Sequence, residues 1–447
     1  MTTFVCSNCG NETSRWEGKC PACGEWNSLK ETSRIIGKKK KGVKKATFEL
    51  PKIETLEDIK ISKNSRTATG FSEMDCVLGG GFVPGMVILL GGAPGTGKST
   101  LMIQVAYNMT LLNKKVLYVS GEESKEQIKI RSSRLGIKSN SIYLFCTNHV
   151  EQLEDAVNEI KPDFLIIDSI QSIYSSDIDS YQGSVTQLRE CSNYLTNLAK
   201  RKNLPTIIIG HITKDGVVAG PKTVEHMVDT VLYFESEKNG FYKILRTSKN
   251  RFGSTNEIGV FEMTGRGLSE VLNPSLTFIS RSDERSGDVI GCVSEGSRNF
   301  YLEVQALLNT TNFGNAQRVS VGYEQKKLAM LLAVIEKHTG IPVNSNDVFI
   351  NIIGGFKSKD ASIDLAVVTA IFSGFTDIAI PKETVFIGEV GLNGEIRVAS
   401  NLNERIKESI RLGFTKIVVS EKSKIKACYS ENCLKVADIN QLFKNFF

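Results

Sequence analysis

Residues 92–99 of this 447-residue chain fit the pattern G-x-x-x-x-G-K-[ST] at every required position. Gly92, Ala93, Pro94, Gly95, Thr96, Gly97, Lys98, Ser99 and Thr100 are therefore read as a loop that holds a nucleoside triphosphate. Glycines let backbone N–H groups curl around a phosphate at a helix N-terminus, where the helix dipole favours negative charge. Lys98 is expected to reach the β- and γ-phosphates, and the Ser99 hydroxyl to ligate Mg²⁺.

Carboxylates elsewhere in the chain fit the same chemistry. An apolar run from Asp163 closes on Asp168, the Walker B pattern, about 70 residues after the loop. Asp168 would hold the Mg²⁺ shell through water. Glu122 and Glu123 follow a second apolar run, where a carboxylate can polarise the attacking water. Glu122 is the preferred base and Glu123 the second choice, while an acidic N-cap for a helix over 124–135 is compatible with either. His211, one of four histidines, follows the strand-like 207–210. It is read either as a contact to the γ-phosphate that relays its loss into the next loop, or as a plain structural histidine.

A second chemistry sits at the N-terminus. Cys6 and Cys9, then Cys20 and Cys23, form two C-x-x-C pairs separated by ten residues. Four thiolates in this spacing close a tetrahedral, structural Zn²⁺ site with no position left for water. Gly10 and Gly24 follow each pair, and the two tryptophans, Trp16 and Trp26, are expected to cover the tiny core. A thioredoxin-type redox dithiol is the alternative, but it lacks a βαβ context. The other six of the ten cysteines are scattered and read as ordinary buried thiols.

These groups need elements to position them. The length suggests about three domains, and 41% apolar with 23% charged residues is globular composition. No apolar run approaches the roughly 18 residues of a membrane span, and the N-terminus lacks signal-peptide character, so the expectation is cytoplasmic. Net charge +6 permits a nucleic-acid partner without demanding one. Residues 1–28 are the zinc finger, and 29–66, with lysines at 38–41 and 44–45, are a basic linker. Residues 67–270 alternate strand-like runs (87–90, 116–119, 164–167, 206–209, 230–234) with helical patterns, which implies an α/β fold on a parallel sheet. Residues 271–447 form a second α/β unit, with strands near 348–352, 385–389 and 416–419 and helices near 325–338, 363–375 and 402–412.

Several strings together resemble one family. The cysteine pairs, the approach at 78–85, Ser120 to Ser124, Gly210 to Gly216, and above all Lys249, Asn250, Arg251, Phe252 and Gly253 are similar to bacterial RadA, also called Sms. The resemblance covers the whole chain. It implies a RecA-like ATPase core, a Lon-protease-like C-terminal domain, and a hexameric ring around single-stranded and branched DNA. It also implies a DNA-stimulated ATPase that drives branch migration of intermediates made by a RecA-type recombinase. Lys249 and Arg251 lie two apart, and at a subunit edge they can act as fingers on a neighbour's γ-phosphate, with a solvated basic turn as the bland alternative.

By analogy with RecA-like motors, loops at 174–183 and 213–222 face the DNA. The first carries Tyr174 and Tyr181, able to stack on bases, beside Asp177 and Asp179; the second carries Lys214 and Lys222 among glycines. The lysines at 38–45 are an alternative site. In the C-terminal domain, matching to the Lon Ser–Lys dyad puts Ser362 at the nucleophile and Asn403 where the lysine belongs. A serine without a base is not activated, so the domain is read as proteolytically inactive. Lys357, Lys359, Arg397, Arg405, Lys407 and Arg411 are expected on its surface as contacts to duplex DNA. The competing functions are a strand-pairing recombinase, an ATP-dependent protease, and an ATP-gated DNA-binding module without translocation.

Overall fold

The computed structural model describes residues 2–6, 12–13, 15–21, 24–26, 28–33, 55, 66–211, 224–236, 242–271, 274–279, 283–311, 316–353, 356 and 358–447. They fall into two compact units. The first comprises Met1–Phe71, Gly80–Leu232 and Lys249–Phe252; the second comprises Ser72–Gly79, Tyr233–Ser248 and Gly253–Phe447. The second thus takes in stretches before residue 271 that the sequence assigned to the ATPase domain. Glu73 explains part of this, because its carboxylate accepts from the Val260 amide at 2.9 Å and pairs with Arg298 at 2.7 Å. Among the described residues no helix is long and apolar enough to cross a membrane.

In the first unit, β-branched and leucine-rich runs pair in parallel in the order Val87–Gly92, Thr206–His211, Phe164–Asp168, Val116–Ser120, Ile142–Cys146. Val87–Gly92, Phe164–Asp168 and Val116–Ser120 are buried along their whole length, as continuous apolar strands covered on both faces must be. The helices Lys98–Leu111, Lys125–Arg134, Gln152–Ile160 and Val185–Lys202 lie between successive strands in the chain. Their ends follow local chemistry. Ser124 and Gln127 make a reciprocal capping box, Ser184 caps Val185–Lys202, and Asn203 in the left-handed region ends it. Three short antiparallel strands, Glu12–Thr13, Thr2–Cys6 and Leu29–Ser33, precede this sheet. The last pairs along its length with the second, so the N-terminal sheet reaches five residues into the span read from its lysines as linker.

In the second unit, a seven-stranded sheet runs in the order Arg318–Val321, Asn346–Ile352, Arg298–Thr310, Asp288–Glu295, Thr384–Ile387, Lys416–Ser420, Cys433–Val436. One apolar cluster joins the strands to Gln325–Thr339, Asp364–Thr376 and Ile439–Phe446 through Leu332, Ile335, Ala366, Ile371 and Leu442. A smaller cluster seats Leu402–Arg411 on Tyr301, Ile387 and Val419. The α/β character expected of both regions is what the structure has.

Candidate active site

The register of the first sheet assembles the site. Gly92 lies opposite His211, and Ser120 opposite Asp168, so the ends of four strands meet at the same edge of the sheet. Open parallel sheets bind ligands outside the carboxyl ends of their strands for this reason.

Val87–Gly92 delivers the chain into the phosphate loop, and the helix begins at Lys98 after Gly97 at φ 104°. No side chain caps that helix, so its first N–H groups point outward. Gly95 also has positive φ, and the space where its Cβ would stand is open, so the loop's backbone is accessible to a phosphate. Lys98 is 3% exposed, and its ammonium donates to the carbonyls of Gly92 at 2.8 Å and Ala93 at 2.9 Å. Burial pulls its pKa down to about 8, against the raising pull of Asp168 and Glu122. Ser99 and Thr100 follow on the first turn.

Asp168 is 7% exposed and accepts from the Tyr118 hydroxyl at 2.5 Å. Burial, then the Asp168 charge, hold the Tyr118 phenol well above its ordinary pKa, so it remains a donor. Glu122 accepts a short hydrogen bond from the Ser169 hydroxyl and lies 3.5 Å from His211 Nε2. The His211 hydrogen bond, with help from Ser169, keeps the Glu122 carboxyl below the usual range despite burial. Glu123 goes elsewhere: it pairs with Arg131 on the next helix. The N-cap of that helix is Ser124, so neither glutamate is needed for capping. Lys98, Glu122 and Asp168 thus form one electrostatic group, joined by Ser169 and Tyr118, which no single-sequence pattern marked.

Lys249 and Arg251 form a second group. Lys249 donates to the carbonyls of Glu225 at 2.9 Å, His226 at 3.3 Å and Val228 at 2.8 Å. Burial and the Arg251 charge lower its pKa. Arg251 pairs at 3.0 Å with Asp229, whose other oxygen accepts from the Val87 amide at 3.1 Å. Asp229 is 4% exposed and was not singled out from sequence, where a lone aspartate carries no signal. Of the loops expected at DNA, 213–222 lies outside the described residues, with Lys214 and Lys222. In the other, Tyr174 is tied to His149 by a 3.1 Å hydrogen bond and ring packing, whereas Tyr181 is 90% exposed.

At the N-terminus Cys6 and Cys20 are buried with Leu29 in a small core under Phe4, and the Cys6 thiol donates to Ser28 at 3.2 Å. Two buried thiols in one core fit part of a thiolate metal site; Cys9 and Cys23 lie outside the described residues. Trp16 and Trp26 do not cover that core. They are 56% and 69% exposed, and among the described residues it is Phe4 that packs against Cys6, Cys20 and Leu29.

The C-terminal unit corrects two expectations. Ser362 is 2% exposed and donates to the Cys292 carbonyl at 2.8 Å, and the group beside it is Arg405, whose Nη1 donates to Ser362 Oγ at 2.6 Å. Asn403 faces away, toward Lys424 and Lys426, since two residues along a helix turn the side chain to another face. Arg405 is also no surface residue: it is fully buried and paired with Asp360 at 2.6 Å. Burial raises the Asp360 pKa, but the Arg405 charge together with hydrogen bonds from the Ser294 and Ser362 amides and from Arg405 itself leaves the carboxyl low. Of the other basic residues, Arg397 is exposed but paired with Glu389 and Glu395, Arg411 pairs with Glu408, Lys359 and Lys407 are exposed, and Lys357 lies outside the described residues.

Three stretches of the chain match known families. A family described as an AAA domain matches residues 64–217, a rubredoxin metal binding domain matches 4–31, and subunit ChlI of Mg-chelatase matches 320–423. DNA repair protein RadA of Listeria monocytogenes is 44% identical over 419 residues, 94% of this chain and 92% of its own length. That of Haemophilus influenzae is 45% identical over 434 residues, 95% and 94% of the two chains. A solved structure of the RadB recombinase aligns with 46% of this chain and 99% of its own, at 24% identity and a TM-score of 0.37. The ATPase domain implies ATP with Mg²⁺, and the N-terminal ribbon implies zinc.

Proposed function

The chain belongs to the RadA family of DNA repair proteins, and from that premise we propose that it is a DNA-stimulated ATPase motor that drives branch migration of intermediates made by a RecA-type recombinase. The observation that supports it most is the grouping of Lys98, Asp168 and Glu122 at one edge of the parallel sheet. On binding ATP, Lys98 exchanges two loop carbonyls for phosphate oxygens. Ser99 and Asp168 are the residues suited to hold Mg²⁺, which neutralises phosphate charge. Glu122, kept ionised by His211 and Ser169, orients and accepts a proton from the attacking water. Loss of the γ-phosphate reaches the following segment through His211 at the end of its strand.

Lys249 and Arg251 act on the nucleotide of a neighbouring subunit in a hexameric ring, so hydrolysis requires assembly. To do so Lys249 must leave the three carbonyls it holds here. The loops at 174–183 and 213–222 contact single-stranded or branched DNA, with Tyr181 as the exposed aromatic of the first. The C-terminal domain is a proteolytically silent scaffold of that ring, because the group at Ser362 is a guanidinium, which cannot take up a proton. The protein works in the cytoplasm. The decisive experiment measures ATP hydrolysis with and without single-stranded DNA beside a branch-migration assay. Lys98→Ala should abolish both; strand extension that survives Lys98→Ala overturns the motor.

A further inference from the structure

The two tryptophans of the N-terminal ribbon lie outside every role assigned so far. Indole is among the side chains most favourable to remove from water, yet Trp16 and Trp26 are 56% and 69% exposed. They also converge. A Cβ built on Gly18 would stand 3.7 Å from the Trp26 ring and 3.9 Å from the Trp16 ring, so both indoles flank one backbone position that carries no side chain. The backbone beneath them is fixed: Lys19 bridges to Trp26, Cys20 N–H donates to Glu25 at 2.9 Å, and Gly24 N–H to Cys20 at 2.9 Å. The Lys19 ammonium sits 5.7 Å from the Trp26 ring centre, and Arg15 is exposed beside Trp16.

We propose that Trp16 and Trp26, converging over Gly18, form a base-stacking site for single-stranded DNA. Stacking platforms for single strands combine exposed aromatic faces with positive charge that follows the backbone, and they are sequence-tolerant because every base has a π-face. The patch itself is nearly neutral, since Glu17 and Glu25 are exposed with Arg15 and Lys19. The excess positive charge lies in the sequence that follows, where lysines at 38–41 and 44–45 suit a polyanion. A folded protein partner fits less well. It needs roughly 800 Å² of complementary surface per side, and two part-exposed indoles of about 150–250 Å² each supply only a fraction of it. The inference deepens the DNA reading above and rests on it: the ribbon is a second grip on a single strand, distinct in sequence from the loops at 174–183 and 213–222.

The chain's two tryptophans make the test direct, because all indole fluorescence arises at this site. Zinc-loaded full-length protein is titrated with oligothymidylate while indole emission and the anisotropy of a labelled strand are followed together. Quenching that saturates with the anisotropy change is the expected result. Trp16→Ala with Trp26→Ala should weaken binding by about 5-fold or more, the low end for one lost stack. Trp16→Phe with Trp26→Phe should keep most of the affinity at unchanged zinc content. Strand binding without quenching, or an alanine variant that binds as tightly as the parent, overturns the inference. So does an alanine variant that binds DNA normally and loses only a protein partner. In each of those cases DNA-stimulated hydrolysis by the parent chain still stands, whereas failure of the function reading removes that stimulation as well.

Discussion

Glu122→Gln isolates the base. The structure separates two adjacent carboxylates by their partners: Glu122 meets Ser169 and His211 beside Lys98 and Asp168, while Glu123 is spent on Arg131. A glutamine at 122 keeps the shape and accepts from Ser169 but cannot take a proton. Positioned general bases contribute about 10²- to 10⁴-fold, or roughly 3–5 kcal/mol of barrier, and kcat should fall by that amount. ATP affinity should change little, since the phosphates are held by the loop and Lys98. Glu123→Gln loses a part-exposed ion pair worth at most about 1 kcal/mol of stability, and its kcat should stay within a few-fold. Single-turnover hydrolysis with saturating DNA, beside nucleotide binding, checks both. The pH profile adds a sign. Hydrogen bonds to the ionised form hold the Glu122 pKa down, so activity persists as pH falls through the usual carboxylate range. Ser169→Ala removes one of those bonds, and its acid limb should move up. Equal losses from both glutamates, or a larger loss at Glu123, refute the assignment.

Lys98 gives a basic limb. Its pKa of about 8 in the free chain should rise beside phosphate, so binding takes up a proton above pH 8. Nucleotide affinity should be flat below about pH 8 and fall above it, measured by calorimetry in buffers of different ionisation enthalpy; proton release on binding would contradict this. Arg405→Met strips the buried partner from Asp360 and should destabilise the C-terminal unit by about 3–5 kcal/mol in urea, whereas Ser362→Ala should leave ATP hydrolysis and branch migration intact. Lys249→Ala and Lys98→Ala subunits, each inactive alone, should regain hydrolysis when mixed if Lys249 acts across an interface. Mixtures no more active than their components argue for a role within one chain.

Chemistry carried by contiguous residues was legible in the sequence. The phosphate loop, the aspartate that ends an apolar strand, and the paired cysteines each occupy a short window whose local backbone fixes their relation, so spacing alone is informative. The parallel sheet followed from alternation, because buried strands and amphipathic helices differ in period. Choices between neighbours were not legible. Glu122 and Glu123 differ by one position, and only the packing of Ser169, His211 and Arg131 around them separates their fates. Asn403 and Arg405 differ by two, and the face of Leu402–Arg411 turned inward decided which meets Ser362. Arg405 read as a surface cation because burying a charge is costly, and its partner Asp360 lies 45 residues away. The tryptophans read as core for the converse reason, since large apolar rings are usually buried, and only the folded ribbon shows both more than half exposed beside Gly18.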